Sequence, residues 1–288
     1  MKIGLIYNKD VPLTTGTYIE RAIKKAGIDY ELYGVIDPNA ISRGLDLYLR
    51  IDHGDYKFDI PQDLHPAVFW VIDTHLKKPY KKIRRQLTHY DIVFCAQKEG
   101  AERLQKETKV DCQWLPLACD PEIHRKLNLP KKYDIGFVGR DAQKFARGKQ
   151  VELLRKKFPK SFIGQIDFRL MSEIYSASKI GFNSSIANDI NMRIFEIMAS
   201  GCFLLTNYLR NNGLNDLFED GKQLVTYKNN KELLNLSEYY LRNDSQREQI
   251  VQEGYNLVIR QHTYHHRVQA MFNYISFKFG REFNLLKI

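Results

Sequence analysis

Short apolar runs alternate with amphipathic stretches along the chain. Four mainly apolar runs predict buried strands, at residues 3–7, 67–72, 92–95 and 203–205. Other stretches carry apolar residues every three or four positions, as at 17–26 and 231–242, which predicts helices with one buried face. Leu45, Leu47, Leu49 and Ile51 alternate with polar residues, which predicts a strand buried on one face. This alternation of strands and helices favours an α/β fold.

The alternation occurs twice, which indicates two domains. A segment punctuated by Pro116, Pro121 and Pro130 has no clear period and is typical of a linker, and a new strand begins at about Tyr133. With 288 residues, the chain is long enough for each half to bury its own core. We therefore expect a first domain at residues 1–127 and a second domain at residues 128–262.

The composition is that of a folded protein with an anionic partner. Apolar residues make up 43% and aromatic residues 12% of the chain, which argues against a disordered protein. Met1-Lys2 leads directly into a strand, and no apolar run approaches the roughly 20 residues that span a bilayer, so we expect a cytoplasmic protein. The four cysteines lack C-x-x-C spacing and fit a reducing compartment. The formal charge of +10 leaves a nucleotide, a phosphorylated acceptor, a membrane surface and nucleic acid open as partners.

Residues 188–206 are the most informative stretch of the chain. Polar residues lead into an amphipathic helical segment, and Gly201 follows as a natural helix stop before the apolar run at 203–205. Arg193 and Glu196 lie three residues apart and so share a face of this helix. Arginine suits phosphate oxygens and glutamate suits sugar or ribose hydroxyls. The alternative is an exposed helical ion pair without a ligand.

The same stretch resembles a known family. The pattern Arg193-x-Phe-Glu-x-x-Ala-x-Gly-x-Phe-x-Leu-Thr206 is similar to the donor-site helix of GT-B glycosyltransferases, and most similar to the family named after the spore-maturation protein CgeB. Residues 90–94, 115–121 and 262–267 resemble the same family. The resemblance implies two Rossmann-like domains that face each other across a cleft. It also implies that the C-terminal helix, here residues 263–288, crosses back to the first domain.

The resemblance further implies an activity and a set of donor-binding residues. The protein would transfer a sugar from a nucleotide-diphosphate sugar to an unidentified acceptor, with no cofactor and no metal, because basic side chains and helix N-termini offset the diphosphate charge. Gly139 would let the diphosphate approach the backbone and Arg140 would neutralise it, with Arg147 and Lys149 as alternates for Arg140. The implied donor-binding residues are Gly16, Gly139, Arg140, Asn191, Arg193, Glu196 and Thr206.

One departure from the family pattern concerns the stereochemical outcome. The wider retaining families carry an E-x7-E signature, of which the first glutamate contacts the donor sugar. Glu196 holds the second place of that signature, but Asn188 stands in the first. Retaining chemistry therefore cannot be assumed, and an inverting reaction would need a base from elsewhere in the chain.

Polar residues in the first half provide candidates for that base and for anion binding. Gly16 lies in a loop between a strand and a helix, where backbone N–H groups could face an anion, although the loop could equally be a plain connection. Asp52-His53, Asp73 and His75 follow predicted strands at their carboxyl ends. We name Asp73 and His75 as catalytic candidates on the acceptor side, with capping of the next helix as the main alternative. Two such residues are too few for a typical metal site.

A basic run follows these candidates. Six of the nine residues from Lys77 to Arg85 are basic, which usually means a solvated helix face but also permits a docking patch for an anionic acceptor or peripheral contact with a membrane. Nucleic acid is an unexpected partner because the run has no interleaved aromatic platform for bases. Three rival functions remain: a non-catalytic nucleotide- or carbohydrate-binding protein of the same fold, a glycosyltransferase acting on nucleic acid, and a nucleotide-sugar epimerase.

Overall fold

Two compact units make up the chain in the computed structural model, which describes residues 1–34, 37–54, 56–140 and 145–280. Unit 1 comprises residues 1–117 and the segment from Tyr264 onward, and unit 2 comprises residues 118–263. Each unit is built around one sheet in which the paired strands run parallel. Parallel strands need long crossover connections, and helices supply most of them here.

Unit 1 contains a six-stranded sheet. Its strands are β1 (Lys2–Ile6), β2 (Asp29–Tyr33), β3 (Leu47–Ile51), β4 (Ala67–Val71), β5 (Ile92–Cys95) and β6 (Asp111–Trp114), in the order β2-β1-β3-β4-β5-β6. Its first three helices are α1 (Thr15–Lys25), α2 (Lys77–Gln86) and α3 (Lys98–Thr108). Short 3-10 turns lie at Pro38–Ala40 and Leu87–His89. Every residue of β3, β4 and β5 is buried, as expected for central strands covered on both faces.

Burial of both faces of β3 corrects the prediction of a strand with one buried face. Tyr48 and Arg50, on the face predicted to be exposed, are each only 1% exposed. The charge of Arg50 is accommodated because its Nη1 donates to Asp59 and, at 3.0 Å, to the hydroxyl of Tyr90. Its guanidinium also lies over the ring of Phe69, 4.4 Å from the ring centroid. From the sequence alone, an arginine at this position is predicted to be exposed, because the partners that allow its burial are distant in the chain.

Unit 2 contains a five-stranded sheet with the strand order β11-β10-β9-β7-β8. Its strands are β7 (Tyr133–Val138), β8 (Phe162–Gly164), β9 (Ser178–Asn183), β10 (Phe203–Asn207) and β11 (Val225–Tyr227). Its helices are α4 (Ala146–Lys157), α5 (Met171–Ser176), α6 (Met192–Ala199), α7 (Leu214–Leu217), α8 (Asn230–Arg242) and α9 (Asp244–Gln261), with a 3-10 turn at Phe168–Leu170. Phe137, Phe182, Phe203 and Tyr240 belong to its apolar core.

The boundary between the units falls after Leu117, so the predicted boundary at residue 127 lies inside unit 2. The proline-containing segment that was interpreted as a linker is hydrogen-bonded to α5. The backbone N–H of Arg125 donates to Ser172 Oγ at 3.1 Å, and that of Leu127 donates to Ser176 Oγ at 3.0 Å. Hydrogen bonds between residues so far apart in the chain cannot be predicted from the local pattern of apolar and polar residues.

The helix after unit 2 returns to unit 1. α10 (Tyr264–Phe279) packs on α1, and the ring of Tyr264 stacks on that of Tyr18 with the centroids 5.1 Å apart. Arg267 Nε donates to the carbonyl of Pro116 at 2.7 Å, which ties α10 to the end of the first segment of unit 1. The resemblance implied this return of the C-terminal helix, although residues 281–288 of the predicted range lie outside the described residues.

The predicted fold class, with its two Rossmann-like domains, is confirmed. All four cysteines are buried and free, in agreement with their interpretation as reduced core residues. Within the described ranges, no helix combines the length and the apolar character needed to cross a bilayer.

Candidate functional site

The N-terminus of α6 is positioned by the loop that leaves the carboxyl end of β9. Asn191 is the N-cap residue, with an extended backbone, but its side chain does not cap the helix. Its Nδ2 instead donates to Ser185 Oγ at 3.1 Å. Its Oδ1 is buried and has no hydrogen-bond partner among the described residues. Asn191 therefore brings an unused side-chain acceptor to the first turn of α6.

Arg193, in the first turn of α6, lies across the ends of two strands. Its Nε donates to the carbonyl of Val138 at 3.0 Å, and its Nη1 donates to Asn183 Oδ1 at 3.1 Å. The guanidinium lies over the ring of Phe137, 4.9 Å from the centroid. Two of its five N–H donors are thus fixed by the fold, and the other three have no partner among the described residues.

Gly139 follows β7 and makes room for this arginine. Its φ is +151°, and a Cβ at this position would lie 2.6 Å from Arg193 Nη2. Only glycine therefore allows the guanidinium to lie against the backbone here. The group that lies against Gly139 in this structure is Arg193, whereas the approach of a diphosphate to this glycine stays a prediction. Arg140, the next residue, is exposed.

Arg147 is the second guanidinium of the site. It lies in the first turn of α4, where its Nε donates to the carbonyl of Ser184 at 2.8 Å. Burial, followed by the nearby positive charge of Arg193, lowers the pKa of Arg147 to about 10. Among the alternates for Arg140, the structure thus brings Arg147 close to Arg193, whereas Lys149 is exposed. Two half-buried cations that repel each other form a site suited to an anion.

Thr206 is a buried residue that is linked to Arg193 through Asn183. Thr206 is 0% exposed, and its Oγ1 accepts a hydrogen bond at 2.9 Å from Nδ2 of Asn183, which is also buried. This bond turns Asn183 Oδ1 toward Arg193. The interpretation of Thr206 as a residue in contact with the donor is therefore corrected, because a fully buried side chain can only orient Asn183. Asn183 was missed, although its place at the end of an apolar strand was visible in the sequence.

Glu196, one turn further along α6, is 5% exposed. Its Oε1 lies 3.5 Å from Nε2 of His124, which is 0% exposed. The interpretation of Glu196 as half of an exposed ion pair with Arg193 is excluded by this burial and by the partners of Arg193. His124 was missed because a single histidine in a segment without periodicity carries no signal in the sequence.

Asn188, which stands where the retaining families have their first glutamate, fixes a loop. Its Nδ2 donates to the carbonyl of Arg210 at 2.8 Å, and its Oδ1 accepts from the N–H of Arg210 at 2.9 Å. Its backbone is left-handed, with φ +65°, a conformation that asparagine tolerates. Both ends of the amide are thus committed to the protein backbone.

In unit 1, Asp73 and His75 follow the carboxyl end of β4. The N-cap residue of α2 is Leu76, which has no side-chain cap. Nδ1 of His75 is buried and has no hydrogen-bond partner among the described residues. Both residues are half-buried and therefore accessible in part.

Two other candidates of unit 1, Asp52 and Gly16, have structural roles. The carboxylate of Asp52 accepts hydrogen bonds from Gly54 N at 2.9 Å, Tyr56 OH at 2.8 Å and Ile72 N at 2.9 Å. Gly16 lies inside α1, where a Cβ would be 2.2 Å from Cδ2 of Tyr7. A close approach to Tyr7 thus explains the glycine without a ligand. Across the described ranges, no group of three or more His, Cys, Asp or Glu side chains could hold a metal ion.

Comparison with known proteins identifies a family and a fold. A sequence model of a family described as glycosyl transferase-like matches residues 125–273. No protein of curated function matches the chain in sequence.

Several solved structures are similar over nearly the whole chain. HepE from Anabaena, in complex with UDP and glucose, is 11% identical, with a TM-score of 0.71 over 96% of this chain and 99% of that one. Sucrose-phosphate synthase from Thermosynechococcus elongatus is 12% identical, with a TM-score of 0.66 over 97% and 99%. A DNA-modifying β-glucosyltransferase is 15% identical, with a TM-score of 0.63 over 96% and 100%. At these identities the similarity shows a shared GT-B fold.

Proposed function

The chain belongs to the glycosyl transferase-like family, and we propose that it transfers a sugar from a nucleotide-diphosphate sugar to an acceptor hydroxyl. The observation that carries this proposal is the pair of half-buried guanidiniums of Arg147 and Arg193 in unit 2. Neither has a carboxylate within ion-pair distance among the described residues, and both retain free N–H donors. A diphosphate would supply the missing negative charge and accept these hydrogen bonds.

The other residues of the site suit the remaining parts of such a donor. The N-terminus of α6, with Asn191 as its N-cap residue, favours an anion at this end of the helix. Glu196 suits the hydroxyls of a ribose or sugar. HepE, which shares the fold, was solved with UDP and glucose, so we infer a UDP-hexose as the first donor to test.

We place the chain in the CgeB-like branch of these enzymes because of the pattern at residues 193–206. We also propose that the donor binds without a metal ion, since Arg147 and Arg193 can take over the electrostatic role of a cation. The use of Asn188 to hold the backbone of Arg210 argues against direct contact of this residue with a donor sugar. It therefore favours a reaction in which a residue of unit 1 is the base, with Asp73 first and His75 second.

For the acceptor, we propose an anionic molecule. The basic residues of α2 are all exposed, at positions Lys77, Lys78, Lys81, Lys82, Arg84 and Arg85. Tyr80 and Ile83 of the same helix are buried, so the exposed face presents charge without an aromatic platform. This favours a phosphorylated acceptor or an anionic membrane surface over single-stranded nucleic acid.

Thermal-shift measurements of the purified protein against UDP-, GDP-, ADP- and dTDP-sugars test the donor class. We expect a UDP-sugar to raise the melting temperature, and we expect Arg147→Ala and Arg193→Ala to remove this effect. The exposed Arg169→Ala variant, whose arginine pairs with Asp167, is the matched control and should keep it. If no nucleotide sugar raises the melting temperature of the wild-type protein, the proposal is wrong.

Release of nucleotide then distinguishes the rival functions. A transferase releases UDP from the donor, slowly with water and faster with an acceptor. Binding without any release would indicate a non-catalytic binding protein, and conversion of the donor without an acceptor would indicate an epimerase.

A further inference from the structure

His124 is held in one orientation by a tight turn in unit 2. The turn starts at Asp120, whose carbonyl accepts from His124 N at 2.7 Å. The backbone N–H of Asp120 in turn donates to Nδ1 of the His124 ring at 3.1 Å. Since Nδ1 accepts a hydrogen bond, we assign the proton of the neutral ring to Nε2. This is the nitrogen that faces Glu196 Oε1 at 3.5 Å.

A neutral N–H donor is a suitable partner for a carboxylate that must bind hydroxyl groups. A buried carboxylate is costly without a hydrogen-bond donor, and the side chain of Glu196 is only 7% exposed. A lysine or arginine at this place would form an ion pair and cancel the negative charge. The imidazole can fix Oε1 and leave Oε2, and the full negative charge, for a ligand. At 3.5 Å, Nε2 and Oε1 lie within ion-pair distance but form no hydrogen bond in this structure, and the contact can shorten when a ligand orders the carboxylate.

We infer that His124 is a positioning residue, which aims the carboxylate of Glu196 at the ribose diol of the nucleotide. The inference rests on the proposed function, because it requires a nucleotide in unit 2. It extends that function by assigning a role to a residue outside α6 and outside the residues that the family pattern implies.

The chain around His124 is anchored independently of its ring. Ser172 Oγ donates to the carbonyl of Ile123 at 2.7 Å and accepts from Arg125 N at 3.1 Å, on the two sides of His124. Ser172 Oγ also lies 3.4 Å from Oγ of Ser200, at the C-cap of α6. A change of the His124 side chain should therefore leave the position of this segment relative to α6 unchanged.

Three variants and two ligands test the role. The ligands are UDP and 2′,3′-dideoxy-UDP, which lacks the diol, and their affinities are measured by calorimetry. His124→Asn keeps an acceptor for the N–H of Asp120 but is too short to reach Glu196. His124→Gln carries an amide N–H on a longer side chain and can restore the contact. His124→Phe keeps an aromatic ring but removes both nitrogens. It replaces His124→Asn in the binding test if His124→Asn does not fold.

We expect His124→Asn to bind UDP about tenfold more weakly than the wild type, which corresponds to the loss of one oriented hydrogen bond. Binding of dideoxy-UDP should be the same in both proteins, and His124→Gln should recover most of the UDP affinity. A purely structural role would weaken both ligands equally and would lower the melting temperature.

The outcomes separate this inference from the function on which it rests. If the wild type binds neither ligand, the proposed donor class is wrong and the role of His124 falls with it. If the wild type prefers UDP but His124→Asn shows the same preference, the donor class stands and the role of His124 is wrong. Equal binding of both ligands by the wild type would overturn the ribose contact itself.

Discussion

Arg193 is the residue through which most parts of the candidate site are connected. It contacts the ends of β7 and β9, lies against Gly139 and faces a second cation, Arg147. We expect Arg193→Ala to weaken nucleotide-sugar binding by about ten- to a hundredfold, because a charge-assisted contact with the diphosphate is worth about 1.5–3 kcal/mol. Calorimetric titration with the donor measures this loss, and Arg169→Ala controls for a general change in charge. Unchanged donor affinity in a folded Arg193→Ala protein would contradict the assignment.

Asp73 and His75 stand as candidates for the base on the acceptor side. We expect Asp73→Asn and His75→Ala to lower turnover while donor affinity stays unchanged, because a general base typically contributes about 10²–10⁴ in rate. Asp73 should have the larger effect, since it lies nearer than His75 to the end of β4. Turnover, donor affinity and melting temperature are measured on the same preparations. Full turnover with a lowered melting temperature would assign both residues a structural role.

The place of single residues was predictable from the sequence where helical spacing is clear. Arg193 and Glu196 do lie on one helix, as predicted, and their role in donor binding stays a prediction. The internal contacts of Gly139 and Thr206 could not be predicted, because they depend on residues far away in the chain. The clearance around a glycine and the partner of a buried hydroxyl are properties of packing, which a linear pattern does not contain.

At the scale of elements, Gly16 determines how α1 packs on Tyr7. We expect Gly16→Ala to destabilise the protein by about 1–3 kcal/mol, because the new methyl group would overlap the ring of Tyr7. Gly164→Ala is the matched control, since a Cβ at Gly164 meets nothing within 4 Å. Urea denaturation measures both variants. If Gly16→Ala is as stable as the wild type but binds donor weakly, the residue belongs to the ligand site after all.

A carboxylate on the edge strand of unit 1 holds the end of α10. Asp111, on β6, accepts hydrogen bonds from Lys278 Nζ at 2.6 Å and Tyr274 OH at 2.8 Å, both on α10. Burial alone would raise the pKa of Asp111, but the hydrogen bonds from Lys278, Gln113 and Tyr274 outweigh it and lower the pKa below its usual value. The ionised form is therefore the one that the folded state favours.

The pH dependence of this contact follows from the lowered pKa. The stabilisation by Asp111 is complete above the unfolded-state pKa of about 3.9 and is lost as the pH falls through the lower folded-state value. We expect Asp111→Asn to cost about 1–3 kcal/mol near neutral pH. The difference from the wild type should shrink in strong acid. Denaturation curves of both proteins across this range decide the matter, and an equal gap at every pH would disprove the linkage.

Elements were predicted well where parallel strands are apolar throughout, as in β4 and β5, because burial on both faces leaves a continuous apolar run. The prediction failed for one face of β3, since Arg50 is buried and has hydrogen-bond partners in other segments, at Phe58-Asp59 and at Tyr90. The domain boundary was predicted at residue 127, whereas the structure has it after Leu117. Prolines indicate irregular backbone, but they do not indicate to which unit that backbone is hydrogen-bonded.

At the scale of the whole molecule, the chain carries a formal charge of +10, and in our proposal basic side chains neutralise the diphosphate in place of a metal ion. We expect release of UDP from the donor to continue in the presence of a chelator such as EDTA, because Arg147 and Arg193 can neutralise the diphosphate. The measurement is nucleotide release before and after chelation. Loss of release that a divalent cation restores would mean that a metal takes part in donor binding or chemistry.

The return of α10 to unit 1 sets the order in which a nascent chain can reach its native state. A ribosome synthesises residues 1–117 first, yet the ring that stacks on Tyr18 and approaches Trp70 belongs to Tyr264, which follows all of unit 2. Unit 2 is one continuous segment and can fold as soon as it has been made. The synthesis of unit 1 therefore begins before that of unit 2, but unit 1 can complete its fold only after α10 has been made. Until α10 has been translated, buried aromatic residues of the finished protein stay open to solvent and to other chains.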